Sequence, residues 1–282
     1  MKEFKDKIAA ITGAASGIGH ALVEKCLEKD MKVVMADIQE RKLRRFERKL
    51  KKQNQDVIAV PVDVTKYEQL ERLKKTVLDT YGKIHLLFNN AGVGMPKKTW
   101  NLTLNDWRWV IDVNLFGVIH GIRAFLPLML EQDFKSLIVN TSSLEGLMFG
   151  CGPGGPAYGA TKHAVVSLTE SLKRELSKTK SKVDTCVVCP GWVQTGIFKV
   201  GLTRQEEYKD DEAFAIDNSQ LRASADKYKD SKSITPPISS ETAAERILQQ
   251  IQEGKFYILT QTDEAFKKII KDRMQGILDA FD

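Results

Sequence analysis

"ITGAASGIGHAL", residues 11–22, decides the fold. An apolar run over 7–12 stops at Gly13, and glycines return at Gly17 and Gly19 as a helical pattern begins. Glycine tolerates positive φ and lets the backbone approach a ligand closely. The first turn of a helix carries free N–H groups and a positive dipole end, which suits a pyrophosphate. A glycine triplet alone says little. Between the first strand and first helix of a βα series it reads as a phosphate cradle; without a ligand it would be a tight turn. The next apolar run, "KVVMAD" (32–37), ends at Asp37, where a carboxylate can accept hydrogen bonds from a ribose diol and repel a 2′-phosphate. Ser16, not a basic residue, precedes Gly17 in the turn. Both features favour NAD over NADP, while Arg41 stands near enough to offset Asp37. A helix N-cap at Asp37 is compatible with that role.

The rhythm continues along the chain. Strand-like runs at 56–64, 84–90, 136–143, 183–190 and 255–259 are separated by helical patterns at 40–53, 66–81, 104–130 and 157–178, and a last helix closes the chain. Strands alternating with helices imply right-handed crossovers and a parallel sheet covered on both faces. No linker or internal repeat interrupts the pattern, so residues 1–282 read as one domain. The departure is 196–238, polar and without a strand, which is too long for an ordinary connection and reads as an insertion or lid.

Composition narrows the class. Lys plus Arg number 43 against 37 Asp plus Glu, a net charge of +6. Much of the excess lies in "ERKLRRFERKLKKQ" (40–53), where Leu43, Phe46 and Leu50 recur at helical spacing. A solvated amphipathic helix is the main reading and nucleic-acid or membrane-surface binding the lesser one. No secretory signal is visible, and no run reaches the roughly 18 apolar residues of a membrane span, so the expectation is a cytoplasmic protein without an integral membrane segment. The four cysteines suggest no disulfide framework. Cys186 and Cys189 fall on a strand, where positions three apart face opposite sides, and no residue spacing suggests a metal site.

Further motifs follow the cradle in order: "NNAG" (89–92), Asn114 in "DVNLFG", Ser143 in "NTSSLEG", Tyr158 and Lys162 in "YGATK", and "PGWVQT" (190–195). With the spacing T-G-x-x-x-G-x-G over 12–19, these resemble the short-chain dehydrogenase/reductase family over 7–195, and the strand at 255–259 extends the match. The resemblance implies an α/β fold, a Rossmann-type doubly wound parallel sheet of about seven strands with helices on both faces. It further implies a homo-oligomer, tetramer or dimer, and a small alcohol or ketone as substrate.

By the same resemblance the catalytic set is Asn114, Ser143, Tyr158 and Lys162. Residues four apart share a helix face, so Tyr158 and Lys162 can point into one cleft. A nearby ammonium stabilises a phenolate and lowers the tyrosine pKa from its usual value near 10. Tyr158 can then exchange a proton with the substrate oxygen while Ser143 steadies that oxygen. Lys162 would also hold the nicotinamide ribose, and Asn114 a water that relays protons to Lys162. Gly146, three residues on, selects Ser143 over Ser142, which would face away on the strand. Asn114 as a bend or cap and Tyr158 as a packed aromatic are the structural alternatives. Implied cofactor contacts are Gly13, Ser16, Gly17, Ile18, Gly19, Asp37, Asp63, Val64, Asn90, Ala91, Gly92, Tyr158, Lys162, Pro190, Gly191, Val193 and Thr195. Around the substrate come Ser143, Leu144, Phe149, Tyr158 and Trp192, with Leu147, Ile197 and Phe198 nearby. This mostly apolar set favours a hydrophobic substrate, and Glu145 is free to face pocket or solvent. The rival readings are a non-catalytic NAD-binding regulator on the same fold and an epimerase or dehydratase among extended relatives.

Overall fold

The runs read as strands are short, rich in Val, Ile and Ala, and mostly apolar, as strands buried on both faces tend to be. In the computed structural model, which describes residues 1–149, 152, 154–197, 203–210 and 236–282, they form one seven-stranded parallel sheet. Its strands are β1 (Ile8–Thr12), β2 (Lys32–Asp37), β3 (Val57–Pro61), β4 (Leu86–Asn89), β5 (Ser136–Thr141), β6 (Val183–Cys189) and β7 (Tyr257–Leu259). The order is β3-β2-β1-β4-β5-β6-β7. The chain winds outward from β1 in one direction and resumes at β4 in the other, so the carboxyl ends of β1 and β4 flank a topological switch point, where such sheets bind ligands.

Helices cover both faces: α1 (Gly17–Leu27), α2 (Glu40–Lys51), α3 (Tyr67–Tyr81), α4 (Leu104–Ile111), α5 (Gly117–Glu131) and α6 (Pro156–Leu176). Alternation along each strand divides the core. Ala9, Ile11, Val33, Met35, Leu86 and Phe88 pack with α1 and α2. Ile8, Ala10, Val34 and Leu87 pack on the other face, with Leu70 and Leu73 of α3, Phe125 of α5 and Leu172 of α6. Burying each such side chain contributes roughly 1.5–3 kcal/mol. Cys186 joins the first face and Cys189 a smaller cluster on the opposite side, as their spacing on a strand requires. In α2 the seam Leu43, Phe46 and Leu50 is buried on the sheet, which leaves its arginines and lysines toward solvent. The buried exception there is Glu47, which accepts a hydrogen bond from the Ala59 amide at 3.0 Å.

Three local departures from the sequence reading bear on the site. The helical run expected at 104–130 is interrupted by a π-helical stretch, Asp112–Phe116, between α4 and α5. Taken whole, Leu104–Glu131 is long and apolar enough to cross a bilayer, but Trp109, Val110, Phe125 and Met129 are buried in the core of the sheet instead. β3 stops at Pro61, an edge position where a missing N–H is tolerated. A helix over Ser240–Gln252, not anticipated, follows the insertion. Ser239 caps it by accepting from the Thr242 amide, and Ala244, Ile247, Leu248 and Ile251 join the α1 side of the core. The final helix spans Glu264–Leu278.

Candidate active site

The cleft opens at the carboxyl ends of the strands. At its first turn Gly13 has φ +68°, and a Cβ there would sit 2.9 Å from Ala91 Cα. A Cβ on Gly19 would lie 2.2 Å from the Gly13 carbonyl oxygen and 2.6 Å from Asn90 Nδ2. Gly19 therefore permits close packing of α1 on the β1 turn and does not itself line the cleft, whereas Gly13, Ser16, Gly17 and Ile18 do. Thr12 pins the two halves at the switch point: its Oγ1 accepts from the amides of Asn90 at 2.9 Å and Ala91 at 3.1 Å. A turn with no room for a side chain at Gly13 or Gly19, leading into the free N–H groups of α1, fits a pyrophosphate.

Asp37 lies at the end of β2, with Oδ2 accepting from the Ala15 amide at 2.9 Å and Oδ1 from Gln39 at 2.8 Å. Its carboxylate is thus fixed on the cleft wall with acceptor capacity left over. The basic side chain that shares this wall is Lys42, not the Arg41 weighed from the sequence; Arg41 is exposed on α2. Asp63 and Val64 line the neighbouring stretch, followed by Asn90, Ala91 and Gly92.

The other end of the cleft is built by α6 and the ends of β5 and β6. Tyr158 and Lys162, one helical turn apart, are 8% and 2% exposed. Lys162 Nζ donates to the Thr141 carbonyl at 2.9 Å and lies 5.3 Å from the centroid of the Tyr158 ring. Burial draws the Lys162 pKa down to about 8, against the opposing pull of Cys189 and Glu145. For Tyr158 the expectation of a lowered pKa is not met by the chain's own groups. Burial pushes the phenol up, the Glu145 carboxylate adds to that, and the Ser143 hydroxyl opposes it. Ser143 lines the cleft, its Oγ accepting from the Glu145 amide at 3.1 Å. Ser142 also borders the cleft, but its hydroxyl donates to the Lys162 carbonyl at 2.7 Å, tying β5 to α6.

Asn114 is brought near this group without lining the cleft. Its Oδ1 accepts from the Val93 amide at 2.8 Å, and its Nδ2 donates to the Val93 carbonyl at 2.9 Å and to Thr161 Oγ1 at 3.2 Å. A Cβ on Gly92 would meet Asn114 Oδ1 at 3.3 Å and Lys162 Nζ at 3.4 Å. The Asn114 side chain fastens the π-helical stretch to the loop after β4.

Pro190, Gly191, Trp192, Val193 and Thr195 continue the wall after β6, with Leu144 and Ile197 beside them. Phe149 does not belong here: it is 82% exposed, because the 3-10 turn Leu144–Gly146 redirects the chain so that Met148 faces inward. Leu147 packs in the satellite cluster with Val166 and Phe266, and Phe198 lies outside the described residues. Phe266 of the final helix also reaches the cleft, and Glu145 is a buried wall residue. Neither Met148 nor Phe266 carries a motif that would single it out.

Of the insertion read as a lid, residues 198–202 and 211–235 lie outside the described residues. Residues 203–210 run back to the opposite end of the cleft. Gln205 donates to Asp63 Oδ2 at 2.9 Å and accepts from Trp109 Nε1 at 3.1 Å. Arg204 pairs with the buried Asp106 at 2.7 Å, and Tyr208 donates to Asp112 at 2.8 Å.

A family model described as short chain dehydrogenase matches residues 7–206. The chain belongs to the short-chain dehydrogenase/reductase family. A short-chain dehydrogenase/reductase of Burkholderia phymatum, solved in complex with NAD, is 39% identical, with a TM-score of 0.89 over 98% of this chain and 96% of that one. A CLA biosynthesis dehydrogenase/reductase of Lactiplantibacillus plantarum is 31% identical over 280 residues, 99% of this chain and 95% of the relative. An uncharacterized oxidoreductase of Staphylococcus aureus is 38% identical over 197 residues, 70% of this chain and 82% of the relative. In this member of the family the Gly13–Gly17 turn and the Tyr158/Lys162 pair line one cleft.

Proposed function

We propose that this oxidoreductase uses NAD(H) to interconvert an apolar secondary alcohol and its ketone, with Tyr158 as the acid/base. The observation that carries the reading is the meeting of Tyr158, Lys162 and Ser143 at one end of a cleft whose other end holds the fixed Asp37 carboxylate. The NAD complex of the Burkholderia phymatum relative supports the choice of cofactor.

In this reading Gly13, Ser16, Gly17 and Ile18 hold the pyrophosphate, Asp37 the adenosine ribose, and Asp63 and Val64 the adenine. Asn90, Ala91 and Gly92 line the ribose side, and Pro190, Gly191, Val193 and Thr195 the nicotinamide. The bound nicotinamide supplies the hydride acceptor or donor. Ser143 donates to the substrate oxygen and steadies its developing charge. Tyr158 takes the hydroxyl proton in oxidation and returns it in reduction. Lys162 holds the nicotinamide ribose and places a cation beside the phenol. Leu144, Met148, Trp192, Ile197 and Phe266 exclude water and favour an apolar group next to the carbinol carbon.

A raised phenol pKa keeps Tyr158 protonated near neutrality, so reduction proceeds there and falls at high pH, while oxidation gains as pH rises. The test is absorbance at the NADH band with a panel of apolar secondary alcohols and ketones, using NAD(H) and NADP(H). Turnover with NAD(H) that Tyr158→Phe lowers by about 10²–10⁴-fold is expected. NADH binding without turnover across the panel would point to the non-catalytic regulator.

A further inference from the structure

Glu145 is the buried ionisable group that the proposed chemistry does not use. It is 8% exposed, stands two residues after Ser143 and lines the cleft. Its backbone N–H donates to Ser143 Oγ at 3.1 Å. Its carboxylate turns the other way: Oε2 accepts from the Gly152 amide at 3.0 Å and Oε1 from the Gly154 amide at 3.1 Å.

Gly154 in turn lies against the Tyr158 ring. A Cβ there would fall 2.2 Å from Tyr158 Cδ1 and 2.6 Å from Cγ. The Gly154 carbonyl accepts from the Met95 amide at 3.1 Å. Gly155, the next residue, has φ +83° and leads into the first turn of α6. One residue therefore touches the Ser143 hydroxyl with its main chain and, with its side chain, holds the backbone on which the Tyr158 ring rests.

We propose that Glu145 is a positioning residue, a carboxylate clamp that fixes the Tyr158 ring relative to the Ser143 hydroxyl. Two N–H donors facing the two oxygens call for the ionised form, since a proton on either oxygen weakens one arm of the clamp. The ionisable groups that face the carboxylate are Tyr158 and Lys162 on α6, with Cys189 at the end of β6 beyond them. Burial raises the Glu145 pKa to about 7, while the Gly154 and Gly152 amides and the Lys162 cation pull it back down. The clamp thus tightens as pH rises through neutrality. This gives a rising limb in ketone reduction, where titration of Tyr158 gives only a falling one.

The inference rests on Tyr158 as acid/base, and the experiment separates the two. Wild type, Glu145→Gln and Tyr158→Phe are compared in ketone reduction from pH 5.5 to 9, with NADH affinity measured by fluorescence. Glu145→Gln keeps the side-chain volume but cannot ionise. The expected result is a kcat loss of about 10–100-fold, the scale of a misplaced reacting group, with NADH Kd within about twofold, since no cofactor contact is removed, and no rising limb. A Glu145→Gln enzyme with wild-type kcat, or with the same rising limb, overturns the clamp. Near-normal turnover in Tyr158→Phe overturns the acid/base reading instead. Should Glu145→Gln fail to bind NADH for want of folding, Gly154→Ala takes its place. It leaves the carboxylate intact and presses on the ring, so a kcat loss with the rising limb retained supports the clamp, and unchanged kcat sinks it.

Discussion

Asp37 holds two jobs in one carboxylate. It accepts the Ala15 and Gln39 amides, which fixes the turn, and in the proposed binding mode it sets a negative charge against a 2′-phosphate. Asp37→Ala should therefore narrow the preference for NAD over NADP and also lower Tm. Asp37→Asn, which keeps the shape and loses the charge, should shift cofactor preference with less effect on Tm. Lys42 on the same wall then becomes the partner for the extra phosphate. Comparing kcat/KM for the two cofactors in Asp37→Asn and Asp37→Asn/Lys42→Ala checks this, and equal NADP use in both would remove Lys42 from the account. The sequence points at Asp37 because it ends a strand, but it brings up Arg41 and not Lys42, because which helix face turns inward depends on how α2 docks. Glu145 also leaves a thermodynamic mark. A carboxyl raised from 4.5 in the unfolded chain to about 7 in the fold binds more protons folded than unfolded between those values. Stability is therefore fully favoured below pH 4.5 and declines as pH rises to 7, by on the order of 3 kcal/mol. Glu145→Gln should remove that part of the slope in denaturant titrations run across the same window.

Among the elements, the strands and α1, α2, α3 and α6 were legible because an apolar run or a helical period marks each one, while α4 and α5 were read as one helix. Less legible were features set by contacts between elements. The π-helical stretch at Asp112–Phe116 exists where Asn114 satisfies both backbone groups of Val93, a partner that local sequence does not announce. The helix Ser240–Gln252 was missed although Ser239 and the spacing of Ala244, Ile247, Leu248 and Ile251 supply a cap and an apolar face. The insertion is read from sequence as a lid, without contacts of its own. Its stretch 203–210 lies where Gln205 bridges Trp109 and Asp63. Cofactor affinity should then feel this strap. Gln205→Ala is expected to weaken NADH binding by about 2–10-fold, the worth of one hydrogen bond, with kcat at saturating cofactor little changed. Fluorescence titration measures it, and an unaltered Kd would confine the strap to a structural role.

At the scale of the molecule, the reversal of strand order beside β1 places the glycine turn, and the long α6 carries Tyr158 and Lys162 into the same cleft. That arrangement follows from βα succession and could be anticipated from the first glycines onward. Closure of the substrate end could not, because it depends on the chain returning after β7. The final helix supplies one deeply buried side chain, Phe266, which packs near Leu144, Val166 and Val187 and reaches the cleft. Ile270 packs behind it, and Arg273 donates to the Leu147 carbonyl at 3.2 Å. The helix therefore bears on the wall proposed to face the substrate, while Asp37 lies at the end of β2. Phe266→Ala should lower kcat/KM most for substrates whose apolar group is large enough to reach that wall, by about 10–200-fold, the usual worth of lost contacts in an apolar pocket. Small substrates should be affected little, and NADH Kd not at all. Steady-state kinetics over a series of ketones of increasing apolar length, paired with NADH titration, separates these effects. A uniform loss across the series would mean that Phe266 supports the fold of the β7 edge and does not shape the substrate end.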